Sequence, residues 1–178
     1  MANYFLNSTK FDYIHWIDAD IGFTPDDFFK LYDMQVQHSM GTYRHKVQHV
    51  KYSFTPDLKN GKLIWNGNAI KIRRNVGGYS LIHRSVFDTL RKNYPELKYI
   101  PYSDGRIVSD AELNNSYHFY DTPIHQGYMI PEDFAFHDKC FTHNIDMWMR
   151  PDITLIHNGN TDFQNDNLFK TLKETYNE

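Results

Sequence analysis

With 178 residues, 40% of them hydrophobic and 23% charged, the chain is long enough for one soluble domain with its own core. A formal net charge of −3 with dispersed basic residues argues against a nucleic-acid partner. There is no apolar run near the roughly 18 residues that cross a membrane, and no signal-peptide layout at the N-terminus. The single cysteine, Cys140, excludes an internal disulfide, suits a reducing, cytoplasmic setting and reads as a buried thiol without chemistry.

In chain order, residues 2–10 read as the end of a helix carrying Tyr4, Phe5 and Leu6. Tyr13–Ile17 reads as a short buried strand. Thr24 is placed to cap a helix running to about Met34. Pro25 suits its first position, Asp26 and Asp27 complement its dipole, and Phe28, Leu31 and Tyr32 form its apolar face. A short strand and turn are expected over 39–46. A hairpin is expected next, with arms "VQHVKYSF" and "KLIWNGNAIKI" around an Asn60-Gly61 turn. Gly77-Gly78 leads into the strand "YSLIH", and Ser85 is placed to cap a helix from Val86 to about Asn93. Residues 95–127 are polar, Tyr-rich and irregular, a length of loop that is usually functional or mobile. A helix opens at "PEDFAF", two short strands, "DMWM" and "ITLIH", flank Pro151, and "NLFKTLKETY" reads as a last helix. Strands alternate with helices, with no repeat and no linker, which defines a single α/β domain over 1–178.

Asp18 and Asp20 follow the first strand, at the kind of edge where open α/β sheets bind ligands. Brought to one side by a turn, two carboxylates offer hard oxygens to Mg²⁺ or Mn²⁺, which take their remaining ligands from a diphosphate and water. Capping of turns is the plainer use of the same residues. Glu132 and Asp133 either complement a helix dipole or supply a general base for a hydroxyl. His157, at the end of "ITLIH", is either structural or a further metal ligand. Gly77 and Gly78 either make a tight turn or let a ligand approach the backbone. His38, His45 and His49 show no ligand spacing, and Lys71, Arg73 and Arg74 read as a solvated face rather than a phosphate clamp. No nucleophile elbow supports a serine hydrolase. A strand ending in Asp-x-Asp also opens phosphatases of the haloacid dehalogenase kind, with Asp18 as nucleophile, but Gly22 stands where that family carries Thr or Val.

Taken in order, "YIHWIDADIGFTPDDFFKL", "GGYSLIHRSVFDTL" and "PEDFAFHDKCFTHNIDMWMRPDITLIHNG" resemble the core of a GT-A-fold, nucleotide-sugar-dependent glycosyltransferase over about residues 2–160. The pattern is similar to family 2-like bacterial and viral members with an Asp-Ala-Asp-Ile motif and to fungal mannosyltransferases. The resemblance implies a Rossmann-like mixed sheet flanked by helices. It implies that Asp18 and Asp20 hold Mn²⁺ or Mg²⁺ on the diphosphate of the donor, with His157 completing the metal site. Gly77 and Gly78 would lie under the donor sugar or acceptor. Asp133, or Glu132, would be the catalytic base towards a glycan or other hydroxyl acceptor. Trp148 would either line the acceptor side or belong to the core. Members of this family carry further nucleotide-binding strands ahead of the Asp-x-Asp strand, whereas only residues 1–17 precede Asp18. The expectation is therefore a partial domain whose nucleotide-binding part is missing. The alternative expectation is a non-catalytic module that binds a glycan or a partner.

Overall fold

In the computed structural model, which describes residues 1–159, 162–164 and 167–176, short strands are interleaved with six α-helices. In chain order they are α1 (Ala2–Ser8), β1 (Tyr13–Ile17), β2 (Ile21–Gly22), α2 (Pro25–Tyr32), β3 (His38–Met40), β4 (Phe54–Pro56), β5 (Leu58–Lys59), β6 (Lys62–Leu63), β7 (Trp65–Asn66), β8 (Ala69–Asn75), β9 (Tyr79–His83), α3 (Arg84–Asn93), α4 (Asp110–Asn115), β10 (Ile124–His125), β11 (Tyr128–Met129), α5 (Glu132–Thr142), β12 (Met147–Met149), β13 (Ile156–His157), β14 (Phe163–Gln164) and α6 (Leu168–Tyr176). The main sheet has the order β1-β9-β3-β12-β8-β4, with β7 also paired to β8. β3 and β12 run parallel and the other neighbours antiparallel, so the sheet is mixed. A second, small sheet joins β14, β13 and β2.

Alternation along β9 divides the interior. Tyr79 and Leu81 face one core with Ile21, Leu31 from α2, Tyr43, Ile153 and Leu155. Ile82 faces the larger core, where Ile70, Ile72, Met147 and Met149 of the sheet meet Phe5 of α1, Phe87 and Leu90 of α3, Phe136 and Cys140 of α5, and Leu168 and Leu172 of α6. Val86, Phe87 and Leu90 are fully buried at helical spacing, which is why α3 packs where it does. Emptying the Phe87 site would cost about 3–5 kcal/mol. Among the described residues no helix is long and apolar enough to cross a membrane.

Several expectations are corrected. β1 is half-buried rather than fully buried, because it lies at the end of the strand order with β9 as its neighbour. α2 stops at Tyr32, short of Met34. The first hairpin arm is mostly not a strand. Between residues 45 and 51 the backbone turns back on itself, with His45 N donating to Lys51 O and Val47 N to His45 O, and only Phe54–Pro56 pairs with β8. The second arm breaks into β6, β7 and β8, because Gly67, at φ +58, reverses the chain at Asn66–Asn68. Asn60-Gly61 does turn a small hairpin, β5–β6. α3 begins one residue beyond His83, and it is the His83 side chain, accepting from Ser85 N, that caps it rather than Ser85. The irregular 95–127 segment contains α4, closed by a Ser109–Glu112 capping box, and the start of the β10–β11 hairpin. Of "ITLIH" only Ile156–His157 is strand, while Ile153 and Leu155 fill the core.

Candidate functional site

β1 ends at Ile17, and Asp18 N donates to Gly78 O at 2.9 Å, extending the β1–β9 ladder by one step. Ile21 N then donates to Asp18 O at 3.1 Å, closing a tight turn that sends Asp18 and Asp20 to different neighbours. Asp18 Oδ2 accepts from the Tyr43 hydroxyl at 3.3 Å. Asp20 Oδ2 faces Lys46 Nζ at 2.6 Å and His157 Nε2 at 3.3 Å. The Tyr43 and His157 rings meet edge to face, with centroids 4.8 Å apart, so a chain of contacts runs from Asp18 through Tyr43 and His157 to Asp20.

Asp18, Gly77, Gly78, Glu132 and Asp133 share one cavity of about 380 Å³, completed by Trp16, Tyr43 and Tyr120. Gly78 is there for space. A β-carbon on it would overlap the Asp18 carboxylate. Gly77 N donates to Asp133 Oδ2 at 3.3 Å, tying the loop before β9 to the first turn of α5. Phe134 N donates to Asp133 Oδ1 at 2.7 Å. Burial raises the Asp133 carboxyl above its ordinary value, and the charge of Glu132 adds to this against backbone donors that include Phe134 N and Gly77 N. Burial and the neighbouring Asp18 raise the Tyr43 hydroxyl, which therefore stays protonated and donating. The Trp16 ring stacks on Tyr120 at 5.3 Å, and Tyr120 in turn on Phe136 at 4.4 Å, which fixes one wall.

Asp20 and His157 lie outside that lining but form a pair of their own. His157 Nδ1 is 2.9 Å from the Arg44 carbonyl, and a carbonyl only accepts, so Nδ1 carries the hydrogen and Nε2 is turned to Asp20. A bare Nε2 and a carboxylate oxygen so close repel one another unless a cation or proton lies between them. As a donor set, one carboxylate and one imidazole suit Mn²⁺, with the remaining positions left to a ligand and water. Among the described residues no group of three or more His, Cys, Asp or Glu side chains is gathered to hold a metal. Asp18 is not brought into the Asp20–His157 pair.

Trp148 is not among the residues lining the cavity; it lies in β12 beneath the Lys71 ammonium, which is 5.9 Å from its ring. His38 is fully buried and stacked on His137, and His45 bonds Ser53 Oγ at 2.6 Å. A larger cavity of about 580 Å³ lies along α5, but its Arg74–Asp138 and Lys139–Asp121 charges are already paired. Sequence reasoning missed Trp16, Tyr43, Tyr120 and Lys46. Trp16 stood inside the opening motif, two residues before Asp18, and could have been found there. The other three sit in segments without periodicity and carry no local signal.

No protein-family model matches the chain, and no curated protein does. Among solved structures it is similar to the crystal structure of A197 from STIV, with a TM-score of 0.50 and 13% identity over 93% of this chain and 72% of that one. At that identity the likeness concerns the fold: a mixed α/β domain with a sheet flanked by helices.

Proposed function

We propose that the protein is a GT-A-like glycosyltransferase that moves a sugar from a nucleoside-diphosphate sugar to an acceptor hydroxyl. The observation that carries this reading is the convergence, in one cavity, of Asp18, the Gly77-Gly78 backbone and the Glu132–Asp133 pair, which lie far apart in the chain. The Asp20–His157 pair beside it would offer oxygen and nitrogen donors to Mn²⁺ or Mg²⁺, and Asp18, on the cavity side, would act on the diphosphate only through that ion or its bound water. Such an ion, when bound, would neutralise charge on the departing diphosphate.

The chain's own residues would do the rest. Asp133, with its raised basicity, accepts the proton of the acceptor hydroxyl as that oxygen bonds the sugar's anomeric carbon and the bond from that carbon to the diphosphate breaks. Gly78 lets the Asp18 carboxylate and the Tyr43 hydroxyl close onto the backbone at the cavity wall, and the stacked Trp16–Tyr120 wall offers a flat apolar face to a sugar ring. Donor hydrolysis and transfer, measured over a panel of nucleotide sugars with Mn²⁺, Mg²⁺ or a chelator, test this. Metal-dependent turnover that disappears in Asp20→Ala is expected. Turnover indifferent to both metal and Asp20 would refute it.

A second reading, a non-catalytic glycan- or partner-binding module, is favoured by one observation: Lys46 already neutralises Asp20. Glycan binding without turnover of any donor in that panel is its signature.

A further inference from the structure

The segment from Tyr43 to Lys46 touches all three residues assigned above to the metal and diphosphate. The Tyr43 hydroxyl donates to Asp18, the Arg44 carbonyl holds His157 Nδ1, and Lys46 Nζ pairs with Asp20. The first two contacts orient their partners. The third competes with any incoming ion, because Lys46 Nζ sits on the very oxygen, Asp20 Oδ2, that faces His157 Nε2. This ion pair, with Lys46 as hydrogen-bond donor, is the main reason the Asp20 carboxyl lies below its ordinary value.

The chain on either side of Lys46 is tied by hydrogen bonds. Arg44 Nη2 donates to Gln48 O at 2.6 Å, His45 N to Lys51 O at 2.9 Å, and the His45 ring bonds Ser53 Oγ. A change of partner therefore falls to the Lys46 side chain, which is 37% exposed and has solvent to move through. A divalent ion placed between Asp20 and His157 repels an ammonium on the same oxygen. A diphosphate brought by that ion offers the ammonium new anionic oxygens close by.

Resting on the glycosyltransferase reading, we infer that Lys46 is an exchangeable counter-ion. It holds Asp20 in the free protein and passes to the donor diphosphate when the divalent ion takes its place. Ion and diphosphate then bind cooperatively, each making room for the other. Lys46 is thus a donor-binding residue outside the Asp-x-Asp motif, and it works against loading of the ion without the donor.

Two dissociation constants test the exchange on the full chain: Mn²⁺ alone, read by its paramagnetic resonance signal, and inorganic pyrophosphate in the presence of Mn²⁺, read by calorimetry. In Lys46→Met, binding of Mn²⁺ alone should tighten about two- to five-fold, the scale set by an exposed ion pair. Pyrophosphate binding should weaken by at least as much, and Lys46→Arg should behave as wild type in both. If Lys46→Met leaves either constant unmoved, or moves either the other way, the exchange is wrong. Wild-type protein that binds Mn²⁺ and pyrophosphate through Asp20 while Lys46→Met fails these expectations overturns the exchange alone. Wild-type protein without Asp20-dependent binding of either overturns the exchange and the metal-site reading beneath it.

Discussion

Gly78 and Asp18 approach so closely that no side chain fits between them. A β-carbon on Gly78 would overlap the Asp18 carboxylate and lie 2.5 Å from the Tyr43 hydroxyl. Gly78→Ala must therefore push Asp18 and Tyr43 apart, at a cost of about 1–3 kcal/mol for overpacking a filled site. Thermal unfolding should show that loss, together with loss of Mn²⁺-dependent donor turnover. Gly77→Ala meets only the Asp133 β-carbon at 3.2 Å and should cost less. Equal stability of the two variants would contradict the close approach.

Arg84 fastens the N-terminal segment to the sheet. Its guanidinium donates to the carbonyls of Phe5, Leu6, Thr9 and Phe11 at 2.9–3.3 Å and lies 4.2 Å from the centre of the Phe5 ring. These carbonyls include orphans at the end of α1, which one planar fork satisfies together. Arg84→Lys cannot reproduce the fork and should destabilise by roughly 1–3 kcal/mol. Limited proteolysis should cut the variant first before residue 13; an unchanged cleavage pattern would show that α1 is held by its Phe5 contact instead.

The parts legible in the sequence are those with local rules. Thr24, Pro25 and Asp27 announce α2, and the structure closes their capping box, with Thr24 N donating to Asp27 Oδ2 at 2.8 Å. Strand β9 and helices α3, α5 and α6 followed from local turn and helix-opening signals, and the class of the fold from the alternation of strands with helices. The strand pairing did not, because β1 beside β9 and β3 beside β12 are long-range choices made by the two cores. The candidate site divides in the same way. Gly77, Gly78, Glu132 and Asp133 were readable as motifs and converge with Asp18. The partners that Asp18 and Asp20 meet, Tyr43 and Lys46, come from a distant segment whose position no local pattern encodes.

Two buried histidines make the fold sensitive to acid. His38 and His137 stack 5.2 Å apart in the core, and neither His38 nitrogen has a hydrogen-bond partner. Burial lowers both, His137 to about 4. Their folded values lie below the unfolded value of 6.5, so the unfolded chain binds more protons as pH falls. Their stability contribution is complete above 6.5 and is lost from there down towards about 4. For His137 alone the loss is roughly 2 kcal/mol at pH 5. Chemical denaturation at pH 7 and pH 5 should show it, and His137→Asn should narrow the gap between the two. A gap that stays the same would assign the acid sensitivity elsewhere.

Asp133 separates a catalytic role from a structural one, because the two move in opposite directions. Its folded value is raised, so its contribution to stability is present below the unfolded value of 3.8 and is lost as pH rises through the raised one. The ionised group therefore costs stability at neutral pH. Asp133→Asn removes that charge but leaves a single acceptor oxygen for two donors, Gly77 N and Phe134 N, that bond different oxygens of Asp133, so one lost hydrogen bond offsets the gain and the unfolding temperature should change little. A general base, by contrast, works only when ionised. Turnover should fall as pH drops through the raised value, and Asp133→Asn should remove that limb and about 10²–10⁴ of the rate. Glu132→Gln should keep the limb and move it to lower pH, because it removes the neighbouring charge that raises Asp133. If the limb instead vanishes in Glu132→Gln and persists in Asp133→Asn, Glu132 is the base, and the burial of Asp133 serves only the loop tie to Gly77.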